Sequence, residues 1–81
     1  MPTPIVMPEL GMADAAVGYW YIGDSQPVDE GERLVEILCG PAVVDLSAPV
    51  SGIFSSRLAR TGDRVLPGQV LGYIEETVND P

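Results

Sequence analysis

Residues 28–37 read VDEGERLVEI, and residues 65–74 read VLPGQVLGYI. Laid one over the other, Val28, Gly31, Leu34 and Ile37 fall on Val65, Gly68, Leu71 and Ile74, at a constant offset of 37 residues. Each stretch joins a valine, a Gly-marked turn and an apolar run, which predicts a short strand, a tight turn and a longer strand. A Gly-Asp pair precedes each: Gly23-Asp24 in the first half and Gly62-Asp63 in the second, the first lying two residues further from its valine. Four matched positions and an approximate fifth exceed coincidence. Self-similarity of this kind predicts two equivalent sheets packed face to face with approximate two-fold symmetry.

Outside the repeat the same grammar holds. Apolar runs bounded by Gly, Pro or Asp occur at Pro4–Met7, Ala15–Ile22, Val28, Leu34–Cys39, Ala42–Ser47, Gly52–Leu58, Val65 and Val70–Ile74. No window sustains apolar residues at helical spacing without a Gly or Pro interrupting it, so the chain reads as all-β. Cys39-Gly40-Pro41-Ala42 separates two runs and reads as a hairpin tip. Either Gly40 takes the first central position of a type II′ turn with Pro41 second, or Pro41 opens a type I turn.

Composition narrows the function classes. The chain has 81 residues, 46% of them hydrophobic, enough for one small core. Twelve acids against four arginines give a formal net charge of −8. Such a surface repels phosphate backbones and anionic lipid headgroups, which excludes nucleic-acid and membrane-surface binding. The single cysteine and the absence of histidine exclude a disulfide framework and the usual zinc ligand sets. The N-terminal residues lack a signal-peptide pattern and no run is long enough to span a bilayer, so a cytoplasmic location is expected. No catalytic set is visible: Ser55 and Ser56 have no base beside them, and there is no Gly-rich phosphate loop.

Several motifs, in order, resemble a known family. They are Met7-Pro8-Glu9-Leu10-Gly11-Met12, then Trp20 with Ile22, then Val28-Asp29-Glu30-Gly31 with Leu34-Val35-Glu36-Ile37. Ala48-Pro49-Val50-Ser51-Gly52, Thr61-Gly62-Asp63-Arg64-Val65, Pro67-Gly68 and Leu71 follow. Together they are similar to the lipoyl domains of 2-oxoacid dehydrogenase acyltransferases, whose fold biotin carboxyl carrier domains share. The resemblance covers Ile5 to Glu75. It implies a flattened barrel or sandwich (a barrel-sandwich hybrid) of two small antiparallel sheets with quasi-two-fold symmetry. It also implies that the hairpin projects at one end, with the two termini close together at the other. A single domain over residues 1–76 with a short polar tail at 77–81 is expected, reading as a free-standing small protein.

The resemblance also implies a lysine at the hairpin tip, within Asp-Lys-Ala, joined to lipoate or biotin. Counted forward from Glu36-Ile37, that triplet falls on Gly40-Pro41-Ala42, so Pro41 stands at the attachment position. The chain contains no lysine anywhere. Arg33, Arg57, Arg60 and Arg64 are no substitutes, because a guanidinium stays protonated and is a poor acyl acceptor. No lipoyl or biotinyl cofactor is therefore expected. The loop between Met12 and Val28, which flanks the hairpin in the family, also departs from the family by a residue or two.

Remaining candidates are weighed against plainer readings. Cys39 is the one nucleophile near the tip, but its neighbours Leu38, Gly40, Pro41 and Glu36 offer no cation to lower its pKa, so packing at a strand end is preferred. Asp29, Glu30, Glu32 and Glu36 form an acidic run, read as a solvated face before a docking face. Tyr19 and Tyr21 alternate with Trp20, which places one side in the core and leaves the other as cover or a partner hot spot. The leading expectation is a non-enzymatic, unmodified module that binds a protein partner, such as a dehydrogenase or carboxylase component, or serves structurally. A carrier acting through Cys39 is the alternative. A third reading is an adaptor like the lipoyl-like domains of membrane-fusion transport proteins, which usually carry an inserted coiled-coil hairpin; here the middle is only a tight turn.

Overall fold

The computed structural model describes residues 2–11 and 14–76. Met12 of the 7–12 motif and the tail 77–81 lie outside the described residues. Seven strands follow one another: β1 (Pro2–Val6), β2 (Ala16–Trp20), β3 (Pro27–Val28), β4 (Arg33–Cys39), β5 (Ala42–Ser47), β6 (Gly52–Arg57) and β7 (Val70–Glu76). They form two antiparallel sheets, ordered β1-β7-β6-β3 and β2-β4-β5. The sheets pack as a sandwich and do not close into a barrel. Pro2 pairs with Glu75, so the first and last strands, β1 and β7, lie side by side.

The repeat seen in the sequence is a repeat of hydrogen bonds. β4 and β7 are equivalent residue for residue, and β2 corresponds to β6. The main-chain bonds repeat with them. Gly31 N–H donates to Ala48 O as Gly68 N–H donates to Met7 O. Val17 N–H donates to Asp63 O as Phe54 N–H donates to Gln26 O. These last bonds cross between halves. β3, from the first half, pairs with β6 of the second. Reciprocally, the 63–65 segment of the second half runs along β2 of the first through an Ala16–Arg64 bridge. The predicted run at Val65 thus forms no strand: its neighbour Arg64 makes an isolated bridge to Ala16, and Val65 N–H donates to Ala15 O at 2.9 Å.

This pairing corrects the two-residue slip read between the Gly-Asp pairs. The backbone equivalent of Gly62 is Ser25, not Gly23. Gly62 has φ +93° and Ser25 has φ +64°, and each donates its N–H across to the other half's strand, to Val17 O and Phe54 O. Gly23 instead matches Arg60: each N–H is capped by a side chain three residues on, Gln26 Oε1 at 2.7 Å and Asp63 Oδ2 at 2.8 Å. The repeat therefore runs at one offset throughout. Residue type disguised it, because a serine holds the left-handed position that a glycine holds in the other half.

The core follows the same register. Val17 and Phe54, Val28 and Val65, Leu34 and Leu71, and Ile37 and Ile74 are equivalent pairs, and all eight side chains are buried. Burying an aliphatic chain of this size contributes about 1.5–3 kcal/mol. Trp20 closes the core at one end and its indole N–H donates to Ala59 O at 2.9 Å, so its polar atom is satisfied. Gly52, the last residue of the Ala48–Gly52 motif, permits close packing of β6 on β7: a Cβ there would collide with the carbonyl of Glu75.

Left-handed backbone costs a non-glycine residue about 1–2 kcal/mol, partly offset by the lower chain entropy of the unfolded state. Ser25→Gly is therefore expected to stabilise the domain by less than about 1 kcal/mol, a few degrees in Tm at this size. Gly62→Ser, the reciprocal change, is expected to destabilise it by at least about 1 kcal/mol. Thermal melts of the two variants check both signs.

Candidate functional site: the β4–β5 hairpin and its sheet face

β4 and β5 are joined by two residues, with Cys39 paired to Ala42. Gly40 takes φ +60°, and Pro41 is locked to a negative φ. That combination is the type II′ alternative, since type I′ needs positive φ at both positions and type I at neither. The turn matches the right-handed twist of the strands and fixes a rigid, exposed tip. Proline presents neither an amine nor a flexible stem there.

The residues flanking the tip divide by side. Cys39 is fully buried and joins the core cluster. Leu38 and Val43, its neighbours on the opposite face, pair across the strands and are 41% and 57% exposed. Farther along this face the strands carry charge and aromatic rings. Tyr21 donates to Asp45 Oδ1 at 3.1 Å and approaches Glu36 Oε2 at 3.4 Å. Arg33 bonds Asp45 at 3.3 Å and lies over the Tyr21 ring at 4.8 Å from its centre. Tyr19 meets Tyr21 edge to face at 5.2 Å. Partial covering of the phenol, together with the Asp45 hydrogen bond and the Asp45 and Glu36 charges, holds Tyr21 above the ordinary tyrosine pKa, against the opposing effect of Arg33.

The structure separates the acidic run. Glu36 joins the Tyr21 network, while Glu32 caps the Asp29 N–H at 3.0 Å and Glu30 N–H donates to Ser51 Oγ at 2.8 Å. Of the turn acids, the Glu32 carboxylate thus fastens the turn backbone, and of this run only Glu36 contributes to the sheet face. Trp20 is core and the two tyrosines are outside, as alternation requires. The role of Arg33 and Asp45 in bracing Tyr21 was not legible in the sequence: they lie on strands whose register only pairing reveals. Among the described residues no cluster of His, Cys, Asp or Glu is arranged to hold a metal ion, and no helix is long and apolar enough to cross a membrane.

No protein-family model matches the chain. It is 34% identical over 72 residues, 86% of its length, to the dihydrolipoyllysine-residue succinyltransferase component of the 2-oxoglutarate dehydrogenase complex from Buchnera aphidicola subsp. Baizongia pistaciae. It is 32% identical over 76 residues to the dihydrolipoyllysine-residue acetyltransferase component of the acetoin cleaving system of Bacillus subtilis, covering 91% of this chain. The match spans 18% and 19% of those two proteins. The solution structure of the lipoyl domain of the 2-oxoglutarate dehydrogenase complex from Azotobacter vinelandii superposes with a TM-score of 0.70 and 25% identity, covering 93% of this chain and 95% of that one. The chain has the lipoyl-domain fold. A lipoyl domain is a carrier module rather than a catalytic one, and in dehydrogenase complexes it interacts with the other components. The hairpin and its flanking sheet face form the candidate functional site of this domain.

Two measurements probe this end. Cys39 is expected to react with a thiol reagent at the rate of a buried group under native conditions and rapidly once denatured. Asp45→Asn is expected to lower the Tyr21 pKa towards its ordinary value of about 10, followed by NMR of the Tyr21 ring. The hydrogen bond to Asp45 stabilises the protonated phenol, so its contribution persists below that ordinary value and fades as pH rises through the raised one.

Proposed function

We propose that this domain is an unmodified member of the lipoyl-type group that acts by binding a protein component of a 2-oxoacid dehydrogenase or carboxylase system, without carrying an acyl group. The observation that carries the reading is Gly40-Pro41 at the tip of a chain that has no lysine. Pro41 occupies the place where the family's attachment residue would stand, and no other side chain in the sequence supplies the amine. The exposed Leu38, Val43, Tyr19 and Tyr21 beside the tip suit contact with a protein: aromatic and apolar anchors on a braced surface are the usual carriers of binding energy.

Burial of Cys39 weighs against the alternative of a carrier working through its thiol, which would need the sulfur in solvent. The two-residue turn weighs against a transport adaptor with a helical hairpin inserted at mid-domain.

Co-expression with a lipoate ligase and with a biotin ligase, followed by intact-mass spectrometry, tests the reading. No mass increment is expected on the native sequence; a lipoyl or biotinyl increment overturns it. The double substitution Gly40→Asp with Pro41→Lys restores the family's triplet ahead of Ala42. It is expected to become modified by one of the ligases, which would show that the tip alone withholds the cofactor.

A further inference from the structure

The two loops that begin each half's crossing segment, residues 23–26 and 60–63, face each other across the approximate two-fold axis. A groove of about 530 Å³ lies between them, lined by Asp24, Ser55, Arg57, Arg60 and Thr61. Asp24 and Thr61 are equivalent positions of the two halves, so the groove straddles the axis. Its charge, however, breaks the symmetry. Arg57 and Arg60 correspond to Trp20 and Gly23 in the other half, and they bring half of the chain's four cations into one concavity.

We propose that this groove is an oxyanion site for a small molecule bearing a phosphate or carboxylate group. Arg57 is preorganised: its guanidinium lies 6.0 Å from the centre of the Trp20 ring and bonds Asp24 Oδ1 at 3.0 Å. The Asp24 carboxylate shows that the Arg57 guanidinium can donate to an oxyanion at the groove. Its side chain is 71% exposed, so it is a displaceable occupant rather than a buried partner. Among the described residues no carboxylate pairs with the Arg60 guanidinium. The Arg60 main chain is instead fixed by Asp63, whose side chain accepts the Arg60 N–H at 2.8 Å. Thr61 adds a hydroxyl to the same wall, while the Ser55 hydroxyl donates to Tyr73 O at 3.2 Å and shapes the wall without serving the anion. Two guanidinium forks and a hydroxyl around an open cleft are the donor set that oxyanions select. The surrounding charge of −8 opposes anion approach, so binding here must come from these local donors rather than from the overall field.

This inference is independent of what the hairpin binds. NMR titration of the amide signals at constant ionic strength, with inorganic phosphate in one series and malonate in another, tests it. Saturable shifts confined to Ser55, Arg57, Arg60 and Thr61 are expected. Arg60→Gln keeps the main-chain bond to Asp63 and is expected to weaken binding about tenfold, as loss of a charge-assisted donor does. Asp24→Asn removes the resident competitor and is expected to tighten binding about threefold, the scale of an exposed ion pair. Asp29→Asn changes net charge equally at a remote turn and is the control. Saturation by both anions supports a general oxyanion site; saturation by phosphate alone assigns it to phosphoryl ligands, and by malonate alone to carboxylates. Absence of saturation by either anion, no loss in Arg60→Gln, or equal tightening in Asp24→Asn and Asp29→Asn each overturns the proposal.

Discussion

The reciprocal exchange of short segments between the two halves holds the rest of the structure in place. Val28 closes the edge of the sheet built from β6 and β7, and Val65 does the same for β2 and β4. Each carries backbone bonds from one half into the other while burying its side chain in the shared core. Neither sheet can satisfy its crossing hydrogen bonds without the other half, and neither apolar face is covered alone. In a chain this short, where the stability margin is slender, that mutual dependence makes folding a single event for both halves. The turns that begin and end the crossing segments are consequently the most constrained loops in the molecule, and each is fastened by a side chain capping a main-chain N–H three residues back.

The hairpin stands outside this arrangement. Its two tip residues contribute nothing to the core, and its strands are specified by Leu34, Val35, Ile37 and Cys39 on the buried side. A substitution at the tip can therefore change what the domain presents without altering how it folds. That separation leaves the tip free to vary while the framework is kept. The groove on the axis shows the same division from another direction. The loops are held alike by the fold, but their side chains are not: Arg57 lines the groove where its counterpart Trp20 closes the core, and Arg60 stands where the other half has Gly23.

Much of this was legible in the residues. Valine, glycine, leucine and isoleucine at matched spacing announce strand, turn and strand, and their burial follows because alternation assigns faces. What the sequence concealed was of three kinds. Ser25 performs a glycine's role, so matching by residue type displaced the repeat by two positions. The Tyr21, Arg33, Glu36 and Asp45 network depends on bulged register between strands, which periodicity does not carry. The axial groove joins loops that lie far apart in the chain, and no local pattern announces that Asp24 and Arg57 will meet. The hairpin tip was readable for the opposite reason: a two-residue hairpin is local, and Gly-Pro leaves few geometries open.

Because the sandwich does not close, it leaves β1, β3, β5 and β2 at the sheet borders, β2 being bridged in part by the 63–65 segment, and an open border is a row of main-chain groups able to recruit another chain. Prolines lie at the first three. Pro2 and Pro4 are within β1, Pro27 opens β3, and Pro41 and Pro49 bracket β5. A proline offers no N–H to an approaching strand, and the pyrrolidine ring obstructs flush pairing. A protein that is nearly half hydrophobic and composed of short strands is a natural candidate for fibril formation. Here the residues that punctuate the fold also blunt its borders, and mutual charge repulsion adds to their effect. The predicted consequence is colloidal: resistance to cross-β assembly is built into the perimeter of the sheets rather than into the packing of the core.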